Sequence, residues 1–245
     1  MTLLEKKLVD FNDNFSFDIT LEVLNEKFEE LAKYFLYSGY IQVNDSYRIE
    51  LVSVEFYFHA EEKNDSTCKY FQDPIVYHRN GRFGLTDVPY LPMMSLNPHP
   101  SGFDITFENA KLKYRASALI REYKVMDLWG NTVSLDEQHK ACDDRSTFLY
   151  YYLCGFAIGE NINGKRIEWK DNDGVSEEFI KNCTVVSSPR VNVFELGEVV
   201  NTDPTKLVLV FKDGRKMKDG SRRERERDTR PWKFSRSRSC LNLFD

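Results

Sequence analysis

An acidic residue interrupts a strongly apolar strand pattern in the first quarter of the chain. Glu55 lies between Val54 and Phe56, in a segment of alternating β-branched and aromatic residues. A carboxylate in such a segment either lies at the rim of a sheet facing solvent or occupies a cleft with a specific partner, because burying an unpaired charge is costly.

Two further residues are candidates to act with Glu55. Arg121 ends the apolar run Ala116–Ile120, so it is either a surface residue on an edge strand or a buried partner for an acid. Tyr57 lies two residues after Glu55, and side chains on a strand alternate between faces, so the two share one face. Tyr57 is then either a core aromatic residue or part of the same site.

Other chemistries lack the residues that they need. The four histidines do not fall at metal-ligand spacing, and the five cysteines are odd in number and form no C-x-x-C pair. There is no phosphate-binding loop, no dinucleotide fingerprint and no nucleophile-elbow motif. The sequence therefore predicts no metal and no cofactor, and it predicts reduced thiols in a cytoplasmic protein.

The periodicity predicts more strands than helices. Apolar residues at three- and four-residue intervals predict a helix over Leu21–Tyr40, with Gly39 as a plausible stop. A second helix is predicted over Ser146–Ile158. Strands are predicted over Arg48–His59, Tyr90–Leu96, Gly102–Phe107, Ala116–Val125, Val185–Phe194 and Lys206–Phe211, with turns at Asn97–Pro100, Glu108–Lys111 and Lys212–Arg215.

These elements and the composition together indicate the class of fold. The 245 residues include 41% hydrophobic and 14% aromatic residues, enough for a substantial core. Strands and helices do not alternate regularly, which favours an α+β fold, a single domain over residues 1–245 with a mainly antiparallel, curved sheet and flanking helices. No apolar run is long enough to span a membrane and no signal peptide is recognised, so no membrane association is expected.

Charge is distributed unevenly along the chain. The net charge is −5, yet Thr205–Arg238 contains 13 basic and 5 acidic residues. Such asymmetry suggests a negatively charged partner, although a solvated basic loop explains Arg222–Arg230 equally well.

In their order along the chain, several short segments resemble the alkyladenine (3-methyladenine) DNA glycosylase family. Val52–Tyr57 is similar to a family signature whose second glutamate is catalytic, and that glutamate aligns with Glu55. Ala118–Arg121 is similar to a segment that ends in the family's functional arginine. The other similar segments are Leu31–Leu36, Asp73-Pro74, His78-Arg79, Gly102–Thr106, Leu153–Ile158, Ser188–Val191 and Arg230–Phe234.

The resemblance implies a function and roles for particular residues. The family flips a modified base out of double-stranded DNA into a pocket and hydrolyses its N-glycosidic bond. Glu55 would then activate the water, and Arg121 would hold that water or the carboxylate in place. Tyr57 would stack on the base, and the base pocket would also contain His78, Asp104 and Met94, with His59 as a rival for the place of His78.

Other implied residues depart from the family pattern or lie outside the pocket. Asn97, with His99 nearby, occupies the hairpin tip from which the family inserts a tyrosine into DNA, and a plain β-turn is the alternative there. Asp104 replaces an asparagine; a carboxylate only accepts hydrogen bonds, so a different base preference is expected. The residues expected on the DNA backbone are Arg190, Arg222, Arg223, Arg225 and Arg227.

Two functions follow as expectations. The first is a monomeric, monofunctional DNA glycosylase, without a covalent sugar intermediate because the strand of Glu55 contains no lysine. The second is a module of the same fold that binds nucleic acid or another ligand without cutting it.

Overall fold

A computed structural model of the chain describes residues 1–43, 45, 47–61, 71, 73, 76, 79–80, 85–99, 102–127, 129–132, 167–190 and 230–237. These residues form three helices and eight strands. The helices are α1 (Leu3–Asp13), α2 (Leu21–Tyr37) and α3 (Glu177–Asn182). The strands are β1 (Gly39–Val43), β2 (Tyr47–Ala60), β3 (Leu96–His99), β4 (Gly102–Thr106), β5 (Tyr114–Asp127), β6 (Ile167–Asp171), β7 (Val185–Ser188) and β8 (Lys233–Arg236).

All eight strands belong to one curled antiparallel sheet. Its main order is β3-β4-β5-β2-β1-β6, and β8 pairs with both β2 and β7. β2 and β5, each of 14 residues, pair along their whole lengths and form the centre of the sheet. The prediction of an α+β fold with a mainly antiparallel, curved sheet is confirmed.

The two faces of the sheet differ in chemistry. One face presents alternate apolar residues, and α2 packs against it, with the Phe28 ring stacked on Phe56 at 4.8 Å between centroids. The recurrence of apolar residues at helical spacing in α2 produces this contact, because they fall on one side of the helix. The opposite face of β2, β4 and β5 carries polar residues that are nevertheless buried, among them Glu55, Asp104 and Ser117. The apolar face is the core, and the polar face is where chemistry is possible.

The helix predicted over Leu21–Tyr40 ends earlier, at Tyr37. Gly39 already belongs to β1, where it pairs with Asp171 of β6. A Cβ at Gly39 would lie 2.0 Å from the Lys170 carbonyl oxygen, so the chain needs glycine for this close strand contact. The helix therefore ends before Gly39, with Ser38 as its cap, and Gly39 serves the pairing of β1 with β6.

The strand predicted over Tyr90–Leu96 and the turn predicted over Asn97–Pro100 are wrong. Met94 has a φ of 63°, and the strand begins at Leu96 and continues to His99. Within the described residues β3 is an edge strand, where the missing N–H of Pro98 is tolerated. Asn97 thus pairs with Asp104 inside a ladder, and it does not occupy a hairpin tip.

Several other predictions are confirmed with changed bounds, and some elements were not predicted. The strands over Arg48–His59 and Ala116–Val125 are each extended at both ends, and the strand from Val185 ends at Ser188. Elements without a sequence prediction are α1, α3, β1, β6 and β8. The segments Ser146–Ile158, Lys206–Phe211 and Lys212–Arg215 lie outside the described residues.

Candidate active site on the polar face of the sheet

Glu55 is fully buried on β2 and contacts the side chains of Arg121 and Tyr57. Its Oε2 lies 2.9 Å from Arg121 Nε and accepts a hydrogen bond of 2.9 Å from the Tyr57 hydroxyl. The Arg121 Nε–H is not aligned with this oxygen for a hydrogen bond, so that contact is an ion pair. These contacts resolve the alternatives that the sequence left open, because Glu55 is buried with a partner and Arg121 is that partner.

A β-bulge positions Arg121. In the β2–β5 ladder, Ser53 pairs with Glu122 and Val54 with Ile120, so Arg121 is the extra residue on β5. Bulges bend a strand and redirect side chains, and they are frequent beside active sites. The Arg121 side chain is 23% exposed whereas that of Glu55 is not exposed at all. Arg121 therefore links the buried carboxylate to the surface.

A row of paired residues crosses the sheet at Glu55. Glu55 pairs with Leu119 on β5 and with Lys233 on β8, and Leu119 pairs with Asp104 on β4. Directly paired residues share a face, so Glu55 and Asp104 lie on the same face two strands apart, about 10 Å between Cα atoms. Asn97 continues the row beyond Asp104. Three sequence-predicted residues thus fall in one line on the polar face.

Tyr57 makes two kinds of contact. Its hydroxyl donates to Glu55, and its ring lies against the guanidinium of Arg190. The Arg190 guanidinium lies 4.7 Å from the Tyr57 ring centroid. Burial, and next the charge of Glu55, raise the pKa of Tyr57 well above its ordinary value, whereas Arg190 and Arg121 act in the opposite direction. Tyr57 is therefore a neutral hydrogen-bond donor to Glu55, and the stacking of a base on its half-buried ring stays a prediction.

Arg190 is fully buried, so the prediction that it contacts the DNA backbone is wrong. Its NH1 forms a 2.5 Å ion pair with Asp73 Oδ2 and donates to the Phe56 carbonyl oxygen at 3.2 Å. The Trp232 ring lies on the guanidinium as well, at 5.1 Å.

Sequence reasoning missed the role of the residues around Arg190. Asp73 holds Arg190 and also has Arg230 at 4.0 Å, and its backbone N–H donates to His59 Nδ1 at 3.1 Å. His59 is thus committed to Asp73 through this nitrogen. The available signals were an acid before a proline at Asp73 and a tryptophan within the charged tail at Trp232.

The structure describes two of the remaining residues that were predicted in the pocket or on DNA, Met94 and His99. Met94 packs against the apolar core, and its backbone N–H donates to the Thr106 carbonyl oxygen at 2.8 Å. His99 pairs with Gly102 at the end of the β3–β4 ladder, next to the connection between these strands. His78, Arg222, Arg223, Arg225 and Arg227 lie outside the described residues, and their roles stay predictions.

The described residues hold no group of three or more side chains suited to bind a metal ion. None of the helices found in those residues is long and apolar enough to cross a membrane. Comparisons of the chain with protein-family models, with curated proteins and with solved structures found no match.

Proposed function

We propose that this protein is a monofunctional DNA glycosylase that removes a modified base flipped out of double-stranded DNA. The observation on which the proposal depends is the buried Glu55 carboxylate, which contacts Arg121 and Tyr57 on the polar face of the sheet. The same proposal includes an alkyladenine DNA glycosylase-like fold for the chain. The curled antiparallel sheet with helices on one face is compatible with it.

In the proposed reaction Glu55 accepts a proton from a water molecule as the water oxygen bonds to the glycosidic carbon. The carbon–nitrogen bond breaks, and its electron pair leaves with the base. Positive charge develops on the sugar in the transition state, and a nearby carboxylate stabilises it. Arg121 holds the carboxylate in place, and Tyr57 donates to the same oxygen. Since β2 contains no lysine, the strand offers no amine for a covalent sugar intermediate.

In this proposal Asp104 recognises an edge of the base. Asp104 is buried on the same face as Glu55, two strand spacings away (about 10 Å), with the buried Leu119 between them. A base whose sugar lies at Glu55 would have to lie over Leu119 to bring an edge to Asp104. Because a carboxylate accepts hydrogen bonds, this edge would need to present a donor.

Base release from modified duplexes tests the proposal. Oligonucleotides carrying hypoxanthine, ethenoadenine or a methylated purine are incubated with the parent protein and with Glu55→Gln, and the free base is quantified by chromatography. The substitution removes the proton acceptor but preserves the shape of the side chain. We expect release to fall by a factor of about 100 or more.

Glu50→Gln is the matched control. Glu50 is a buried acid on the same strand, and it pairs with Arg48 at 2.6 Å and with Arg236 at 3.6 Å. The control therefore also loses a buried ion pair, and release within a few-fold of the parent is expected. Equal release by Glu55→Gln and the parent would contradict the mechanism.

The second candidate is a module that binds modified DNA or another ligand without catalysis. The complete burial of Glu55 favours it, because a structural ion pair in a retained fold would be arranged in the same way. Binding of the same duplexes by the parent, with no release of any base, would support this candidate over the first.

A further inference from the structure

The guanidinium of Arg190 lies near two aromatic rings beside the candidate site. Its guanidinium is 4.7 Å from the Tyr57 ring centroid and 5.1 Å from that of Trp232. A guanidinium on the face of an aromatic ring is attracted by the ring, most strongly where water is excluded. Both rings therefore lie near one fully buried cation.

Arg190 is itself held from two directions. The Asp73 carboxylate pairs with NH1, and the same nitrogen donates to the Phe56 carbonyl oxygen on β2 at 3.2 Å. Asp73 is anchored in turn by its backbone N–H, which donates to His59 Nδ1. A buried arginine with a carboxylate and a carbonyl partner has little freedom to move.

The second ring is fixed by the core. Trp232 is fully buried, its Nε1 donates to Asn25 Oδ1 on α2 at 2.7 Å, and it packs edge-on against Phe28 at 5.0 Å. The contacts therefore run without a break from α2 through Trp232 and Arg190 to Tyr57, whose hydroxyl donates to Glu55.

We propose that Arg190, anchored by Asp73, is a positioning residue that presses the Tyr57 ring into place and so directs its hydroxyl to the Glu55 carboxylate. The consequence for base release rests on the proposed function, whereas the consequence for Tyr57 does not. Among the described residues, Glu55, Arg121 and Arg190 all act electrostatically on Tyr57. The Arg190 guanidinium lies over the ring itself.

The test observes Tyr57 directly in the full chain. Tyrosine carrying a stable carbon isotope at Cζ is incorporated, and the resonance of Tyr57 is assigned by its loss in Tyr57→Phe. Arg190→Lys retains the charge but removes the planar group. We expect the Tyr57 resonance to move toward that of an unstructured tyrosine, and Asp73→Asn to move it in the same direction.

Arg115→Lys is the matched control. Arg115 is also fully buried, forms ion pairs with Glu61 and Glu108, and stacks on Tyr90 at 3.7 Å. Its replacement loses equivalent contacts, so the resonance of Tyr90 is expected to move while that of Tyr57 stays in place. If Arg190→Lys does not fold, Asp73→Asn, which preserves side-chain shape, answers the same question.

Kinetics complete the test. With an active parent, Arg190→Lys is expected to lower kcat about tenfold or more and to change KM little, because the Glu55 geometry is altered rather than substrate binding. An unmoved Tyr57 resonance in folded Arg190→Lys and Asp73→Asn would overturn the proposal, as would unchanged kcat with a moved resonance. A moved resonance in a protein that releases no base would support the positioning role and count against the proposed function alone.

Discussion

At Glu55 and Gly39, contacts of single atoms determine the local structure: the orientation of a carboxylate at Glu55 and the approach of two strands at Gly39. The Oε2 of Glu55 accepts from Tyr57 and pairs with Arg121, so the carboxylate has one orientation. Gly39 lets β1 approach β6 because it has no Cβ, with the Lys170 carbonyl oxygen in the space that a methyl group would fill. Both residues show that close approach, rather than residue type alone, sets the local structure.

Gly39→Ala is predicted to destabilise the protein strongly. The new methyl group would meet backbone atoms that belong to a ladder, and these cannot move aside without breaking strand pairs. We expect the free energy of unfolding to fall by about 2 to 4 kcal/mol. Urea unfolding monitored by circular dichroism measures this change.

Gly130→Ala provides the comparison for Gly39→Ala. Gly130 has a φ of 84°, but nothing lies within 4 Å of the added methyl group. Only backbone strain remains, and the expected cost is about 1 kcal/mol. A larger loss at Gly130 than at Gly39 would show that the close contact between β1 and β6 is not what requires glycine.

The amphipathic pattern of α2 and the alternation of β2 were sufficient to predict these elements, whereas α1 was not predicted. Long periodic segments can be recognised from the sequence, because their apolar residues repeat at the spacing that places them on one face toward the core. The shorter N-terminal helix also buries apolar residues in the core, but part of its support comes from contacts at its start. Thr2 and Glu5 form a capping box, and both carboxylate oxygens of Asp171 accept from the Leu3 backbone N–H, at 3.1 and 3.0 Å. Asp171 is remote in sequence, so no local pattern reveals this contact.

Asp171→Ala is predicted to loosen the start of α1. The substitution removes an acceptor and a negative charge from a helix N-terminus, at an expected cost of about 1 kcal/mol. Hydrogen exchange at the first-turn amides of α1, measured together with urea unfolding, is expected to quicken there first. The helix should fray rather than unfold, because the capping box remains.

Asp173→Ala is the control for Asp171→Ala. Asp173 is an exposed aspartate two residues further on, and its loss is expected to change stability by no more than about 0.5 kcal/mol. Equal effects of the two substitutions would argue against a specific contact between β6 and α1.

Over the whole molecule, tyrosine hydroxyls held away from water make stability depend on alkaline pH. Burial raises the pKa of Tyr90 to about 12, and burial raises the pKa of Tyr114 and Tyr57 as well. The folded state therefore keeps protons that the unfolded chain releases near the ordinary tyrosine value of 10.0. The stabilisation is complete below that value and is lost as pH rises through the folded-state pKa values.

The free energy of unfolding is accordingly predicted to fall between about pH 10 and about pH 12. Urea unfolding at a series of pH values in this range measures the slope. Tyr114→Phe is expected to make the slope shallower, because it removes a buried hydroxyl, which donates a hydrogen bond to Asn12 Oδ1. An identical slope in the variant and the parent would contradict this account.

The sequence by itself determined the class of fold and the most periodic elements, and it placed Glu55 and Tyr57 on one strand face. Those properties follow from residues a few positions apart, whose side chains repeat with the period of a strand or a helix. The tertiary structure decided that Arg121 reaches Glu55 from a bulge, that Asn97 lies in a ladder, and that Arg190 is buried against Asp73, 117 residues away. The physical reason is that strand register and burial arise from pairing between distant segments, and no local pattern of residues contains that information.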